Sequence, residues 1–211
     1  MADAPRRLRR DAEANLERIL AVAVTVFAEQ GMDTSIEVVA QRAGVGLGTI
    51  YRRFANKQAL LDELARRLLT DVVAVAERHL EDPDGTGLAG YFWGIGELLA
   101  THRGLVSHMW NMPGAAPIVA RSRDLQGRLL ADAQRHGLAR AELTAEDVAV
   151  TAWSLQGVLD TTRGLPVDAW HRHVEILLAG LAPGAQPLRH PPLTPHEMDT
   201  VIRETPADQR P

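Results

Sequence analysis

Among its 211 residues the chain has no cysteine, so disulfides, thiolate nucleophiles and cysteine-bound metals are excluded. That composition fits a reducing compartment. No apolar run is long enough to cross a bilayer. Arg6, Arg7, Arg9 and Arg10 near the start are followed by Asp11, Glu13 and Glu17, where a secretory leader needs apolar residues. Alternating apolar-polar runs of the β type are missing as well. There is no HExxH and no GxxxxGK[ST] phosphate loop. His171 and His173 are two apart and fall on different faces of a helix, a poor arrangement for sharing a metal. His102 and His108 lack a carboxylate at useful spacing, and Ser107-His108 is a bare dipeptide. These absences argue against an enzyme, a bound cofactor, a metal centre or a membrane protein. They leave a cytoplasmic helical protein as the expectation.

Aromatic residues make up only 4% of the chain, and all four tryptophans lie beyond residue 90. Charge is uneven too. Residues 1–80 hold 12 basic and 11 acidic side chains, while the remainder holds 11 and 16, for a net −4 overall. In the first part the basic residues gather at 6–10 and around Arg52, Arg53 and Lys57. A local basic surface suffices to meet phosphates, and an acidic body limits nonspecific sticking.

Apolar periodicity predicts helices throughout. The first spans about 11–30, with Leu16, Ile19, Ala23 and Phe27 on one stripe and Gly31 as a stop. A second covers about 35–43, where Thr34 with Glu37 has the form of a capping box and Ser35 is an alternative cap. A third covers about 47–54. Asn56 caps a fourth that runs to about 80. After a Pro-Gly loop at 83–87, helices are expected at about 88–102, 105–110, 116–136, 144–163 and 166–181. Thr144 with Asp147 opens the fourth of these, and Pro166 suits the first turn of the last. Residues 183–211 contain seven prolines and little to bury, so they read as a tail with a possible short helix at Thr194-Pro195-His196-Glu197.

The stretch from Ser35 to Lys57 has the sequence form of a helix-turn-helix, whose second helix enters the DNA major groove. In the third helix Ile50 and Phe54 point inward with Val45, onto Phe27 and Val39. Gly48, Thr49, Tyr51, Arg52 and Arg53 are then turned outward, a set of donors suited to phosphate oxygens. Gly46 and Gly48 let the backbone approach a surface closely. Lys57 opens the fourth helix, where free N–H groups favour an anion.

GVGLGTIYRRFANKQALLDEL (44–64), preceded by VFAEQG (26–31) and TSIEVVAQRAGV (34–45), resembles the signature of the tetracycline-repressor (TetR) family of bacterial transcription regulators. The resemblance is specific across about residues 16–64 and general beyond. It implies an all-α protein: an N-terminal three-helix DNA-binding domain (1–57, with a basic arm), a ligand-binding and dimerisation domain (58–182) and a Pro-rich tail (183–211). It also implies that Thr49, Tyr51, Arg52 and Lys57 contact phosphates and that Leu47 and Gly48 fall where bases are touched. Three positions depart from the family pattern. Leu47 is apolar: it either meets a thymine methyl or tucks beside Ile50 and Phe54. Gly46 replaces the usual Ser or Thr cap. Glu37 is acidic where a basic residue is common, and either accepts from a cytosine amine or caps its helix. The arginine arm either enters the minor groove, touches phosphates, or is disordered.

Trp93, Trp110 and Trp153, with Met109 and Met112, are candidates for an adaptable apolar pocket. His108, Asn111, Gln156 and Asp160 are the polar candidates; Asp160 alternatively pairs with an arginine such as Arg163. The three glycines within 88–102 each cost about 1 kcal/mol against alanine; they imply either close helix contact or space kept for a ligand. Val148, Ala152, Leu155 and Leu159 form one stripe of the 144–163 helix, and Val150, Ser154, Gly157 and Thr161 a second. On 166–181, Trp170, Val174, Leu177 and Leu181 form one stripe beside Ile176 and Gly180. Helices apolar on two faces need two partners, which a homodimer supplies. The expectation is a homodimeric repressor released from a palindromic double-stranded operator by a largely apolar, uncharged or cationic effector. The alternatives are an activator, an effector-independent regulator, or a helical binding protein or enzyme with a vestigial DNA segment.

Overall fold

The computed structural model describes residues 4–109, 114–162, 169–184 and 186–204. The described residues are helical with no strand: α1 (Ala4–Gln30), α2 (Ile36–Ala43), α3 (Leu47–Tyr51), α4 (Lys57–His79), α5 (Gly87–Thr101), α6 (Val106–Met109), α7 (Ala115–Arg135), α8 (Ala145–Thr161), α9 (Ala169–Leu181) and α10 (Pro195–Glu204). The fold class is all-α.

Local chemistry sets most of the boundaries. Gly31 (φ 87°) follows α1 and Gly44 (φ 63°) ends α2, both in the left-handed region that only glycine enters cheaply. Asn56 Oδ1 accepts from the Ala59 N–H at 2.9 Å and starts α4. Thr144 and Asp147 form a reciprocal capping box at α8. The box expected at Thr34 and Glu37 does not form. The N-cap is Ser35, one residue later, which puts Glu37 at the second helical position. From there its carboxylate accepts from its own N–H and from the Ser35 hydroxyl, and both hold it below the usual carboxylate range.

A continuous apolar cluster links the whole body. Ile19, Ala23, Val26 and Phe27 of α1 meet Val39 of α2, Ile50 of α3, Phe54 and the first turns of α4. Burying a side chain the size of Phe27 contributes roughly 1.5–3 kcal/mol. α4 is the spine: it packs on α5, α6 and α7, and its buried stripe runs from Leu60 to Ala76. Arg67 on α4 donates to Glu17 of α1 at 2.6 Å and to Glu63 at 2.9 Å.

The α5 glycines resolve in favour of close contact. A methyl at Gly94 would lie 2.7 Å from the Val75 side chain, at Gly90 2.3 Å from the His79 ring, and at Gly96 2.2 Å from the Trp170 ring. They let α5 seat against α4 and α9. The C-terminal segment carries α10, whose Met198 is fully buried; Arg123 on α7 donates to both Asp199 and Glu146. Pro166 lies outside the described residues.

Candidate functional site

α3 is a single turn and a half whose hydrogen bonds continue past its end: Arg52 N donates to Gly48 O, and the N–H groups of Arg53 and Phe54 both donate to Ile50 O. Ile50 and Phe54 are buried, as the wheel requires. The opposite side is open. Tyr51 is 45% exposed, Arg52 and Arg53 are exposed, and Leu47 and Thr49 are half-buried. Leu47 packs against the apolar cluster, the second of its two readings. Gly46 caps α3 with no side-chain bond, and a methyl at Gly46 or Gly48 would meet nothing within 4 Å. The backbone there is bare toward the outside.

The cations of this face form no ion pair among the described residues. Arg66, Arg67, Arg121 and Arg123 all engage carboxylates, whereas Arg52, Arg53 and Lys57 pair with none of the described ones. Lys57 is the chain's single lysine. Its Nζ lies 5.9 Å from the centre of the Phe27 ring, at the first residue of α4. Glu37 is exposed at the start of α2 and adds one anion to the neighbourhood. Arg42 on α2 is occupied by Glu29 at 2.5 Å. A groove of about 210 Å³ runs between α1 and α3, lined by Ala12, Asn15, Leu16, Ile19, Thr49, Arg52 and Arg53. Asn15 is a polar wall that sequence reasoning missed. Its signal was present, since it sits beside Leu16 near the start of the apolar stripe.

A second site lies in the helical body. A partly open cavity of about 40 Å³ is lined by α4 (Val72), α5 (Tyr91, Ile95, Leu99), α6 (Val106, Met109), α7 (Ser122, Gln126) and α8 (Ala152, Trp153, Gln156). Ser122, Gln126 and Gln156 are the buried polar residues among those described, and all three face this one space. Gln126 Nε2 donates to the Tyr91 phenol oxygen at 2.6 Å, while Gln126 Oε1 is buried without a partner. Burial pushes the Tyr91 phenol up to about 12, against the opposing effect of the Gln126 bond. The phenol therefore keeps its proton near neutral pH and remains a donor. Among the described residues no Lys, Arg, Asp, Glu or His lines the cavity.

Of the pocket candidates taken from sequence, Met109, Trp153 and Gln156 line this space. Three others do not. Trp93 sits at 6.0 Å from Trp170, edge to face, between α5 and α9. Asp160 is on the exposed side of α8. His108 turns toward α4, because successive residues on a one-turn helix are about 100° apart and Met109 takes the inward place. Its Nε2 lies 3.0 Å from Asp62 Oδ1 and 2.9 Å from Gln58 Nε2. It donates to the carboxylate when it carries a proton and accepts from the amide when it does not. Trp110, Asn111 and Met112 lie outside the described residues. Tyr91, Ser122 and Gln126 were missed. The clue was that Ser122 and Gln126 interrupt an apolar stripe with Val119, Leu129 and Ala133 on α7.

Among the described residues no group of three His, Asp or Glu side chains could hold a metal ion, and no helix is long and apolar enough to cross a membrane.

Residues 19–64 match the family described as bacterial regulatory proteins of the tetR family, a span that covers α2, α3 and both turns beside them and reaches into α4. A TetR transcription regulatory protein from Mycobacterium vanbaalenii is 32% identical, with 83% of this chain and 99% of that one aligned at a TM-score of 0.59. A TetR regulator from Streptomyces coelicolor is 25% identical, with 80% and 99% aligned at 0.60. An uncharacterised helix-turn-helix regulator of Bacillus subtilis is 30% identical over 92 residues, and the chain spans 44% of that relative's length. With its exposed, unpaired recognition turn and a full-length structural relative at this identity, the chain belongs to the TetR family of helix-turn-helix, DNA-binding transcription regulators.

Proposed function

We propose that the protein is a cytoplasmic homodimeric repressor whose hold on a palindromic operator is released by a small, largely apolar ligand. Residues 1–57 act as the DNA-binding unit and 58–182 as the ligand-binding and dimerisation unit. In the first unit Thr49, Tyr51, Arg52, Arg53 and Lys57 hold phosphates, Gly46 lets the backbone approach the DNA, and Leu47 and Gly48 fall where bases are touched, Gly48 through its bare backbone because the Leu47 side chain packs inward and Glu37 caps its own helix. Phosphate contacts position the helix and base contacts specify the sequence. Two copies of α3 about 34–36 Å apart fit successive major grooves.

The observation that carries the reading is the placement of α6. Its Val106 and Met109 form one wall of the cavity, and its His108 is joined to Asp62 and Gln58, one turn into the helix that follows the recognition turn. Just before α6, Gly104 (φ 91°) lies with its Cβ position 3.5 Å from the Phe27 carbonyl and 3.9 Å from Met32. A molecule that fills the cavity presses on a segment that touches both α1 and α4. A coupling of about 1–3 kcal/mol changes operator affinity roughly 5–150-fold.

Support for the dimer comes from α8 and α9. Their inward stripes are buried, while Val150 is 42% and Ile176 56% exposed on the outward side. Ser154, Gly157 and Gly180 are exposed as well. The test combines light scattering of the purified protein with fluorescence anisotropy on fragments flanking its own gene. A dimer that binds one such fragment at nanomolar concentration, in a salt-dependent way, is expected. A monomer that ignores every fragment at low salt would overturn the proposal.

A further inference from the structure

The cavity has a definite polarity. Eight of its walls are apolar or aromatic, and none is ionised. Against that background Gln126, 6% exposed, is a lining residue whose carbonyl oxygen is buried with no protein donor. Beside it the Tyr91 oxygen accepts from Gln126 Nε2, and among the described residues no acceptor meets the phenol's own proton. Gln156, also buried, lines the same space. An unpaired buried acceptor next to an unpaired buried donor is costly unless something fills the gap. One chemical group satisfies both: a hydroxyl, which donates once and accepts twice.

We infer that the effector is a neutral alcohol or phenol, bound with its hydroxyl donating to Gln126 Oε1 and accepting from Tyr91, and with its carbon skeleton against Ile95, Leu99, Met109 and Trp153. The inference rests on the reading of this cavity as the effector site. A carboxylate is disfavoured because its charge would be desolvated with no cation among the described residues that line the cavity. An ammonium is disfavoured because the same residues include no anion. An ether or hydrocarbon of the same shape leaves Gln126 Oε1 unpaired. With about 40 Å³ of room, the site as it stands takes a small skeleton. Larger ones are admitted by Met109, an unbranched side chain, and by the half-buried Trp153.

The test uses the full chain without DNA and follows binding by calorimetry and thermal shift. A ladder of alcohols from 1-propanol to benzyl alcohol finds the size that binds tightest. That alcohol is then compared with its methyl ether or isosteric ether, its isosteric hydrocarbon and its carboxylate; for benzyl alcohol these are anisole, ethylbenzene and benzoate. The alcohol is expected to bind about tenfold or more tightly than the ether and the hydrocarbon, and benzoate not at all. Gln126→Met, close in volume and without the acceptor, is expected to bring alcohol and hydrocarbon to within about threefold. Equal binding of alcohol and ether by the native protein overturns the inference without any variant. So does a preference for the ether, which would mean that the Gln126 amide faces the other way. Failure of the whole ladder to bind, or tightest binding of the carboxylate, overturns it too. Selective alcohol binding that leaves operator affinity unchanged would uphold the chemistry of the site and refute its regulatory role instead.

Discussion

Single side chains of the recognition turn separate stability from DNA contact. A methyl at Gly48 meets nothing in the free protein, so Gly48→Ala is expected to stabilise the fold by about 0.5–1 kcal/mol. If the backbone there lies against the operator, the same methyl weakens binding. A denaturant melt and an anisotropy titration on one sample read both effects, and a variant with unchanged affinity would show that Gly48 faces no DNA. Tyr51→Phe and Arg52→Ala remove donors that no described residue uses, so their thermal midpoints should match the native one. Their operator affinity should fall for all sequences alike, and the salt slope of Arg52→Ala should drop by about 1. Titration is legible at this scale too. Arg66 and then Arg67 hold the Glu63 carboxyl below its ordinary 4.5, and Arg67 does the same for Glu17. A depressed folded pKa stabilises the native state above 4.5, and that contribution is lost as pH falls from there through the lower folded value. Glu63→Gln should therefore flatten the acid limb of the stability curve below pH 4.5. At neutral pH the change should stay within about 0.2–1 kcal/mol, as for other surface pairs.

Whole helices were the most readable level of the sequence, because caps and stripes are local. Asn56, Thr144 with Asp147, and Gly44 act where their residue types predict. The Thr34–Glu37 box failed because two adjacent hydroxyl residues compete for one cap position, and spacing alone cannot choose between them. What sequence could not provide was the azimuth of each helix against its neighbours. Aromatic Trp93 and polar Asp160 looked like pocket walls on composition, but they sit on sides turned to α9 and to solvent. Ser122 and Gln126 drew no attention in the sequence, and α7 is rotated to bring them inside. The α5 glycines could have meant contact or space, and only the neighbouring helices decide. Gly96→Ala, driven into the Trp170 ring, should cost about 1–3 kcal/mol in a denaturant melt. Gly157→Ala on α8 has nothing within 4 Å and should be neutral or slightly stabilising for the subunit. A destabilised Gly157→Ala monomer would indicate that α8 is seated differently.

At the level of the molecule, the proposed dimer puts the outward sides of α8 and α9 in charge of whether two recognition turns act together. Ile176→Asp and Val150→Asp change residues that are largely exposed in the single chain, so subunit stability should stay within about 0.5 kcal/mol of native. Light scattering should then report a monomer, and operator affinity should collapse because one half-site alone binds weakly. A dimer that survives both changes would place the interface elsewhere. The charge layout has a practical corollary. With arginine used almost everywhere, the one ε-amine of the chain, at Lys57, sits at the edge of the recognition turn. Amine-reactive dyes and ester-activated sensor chips have only this side chain to attack besides the α-amine. On the proposed reading, the fraction of a sample tethered through Lys57 would be blind to its operator, so weak binding on such a chip would report the attachment chemistry rather than the protein.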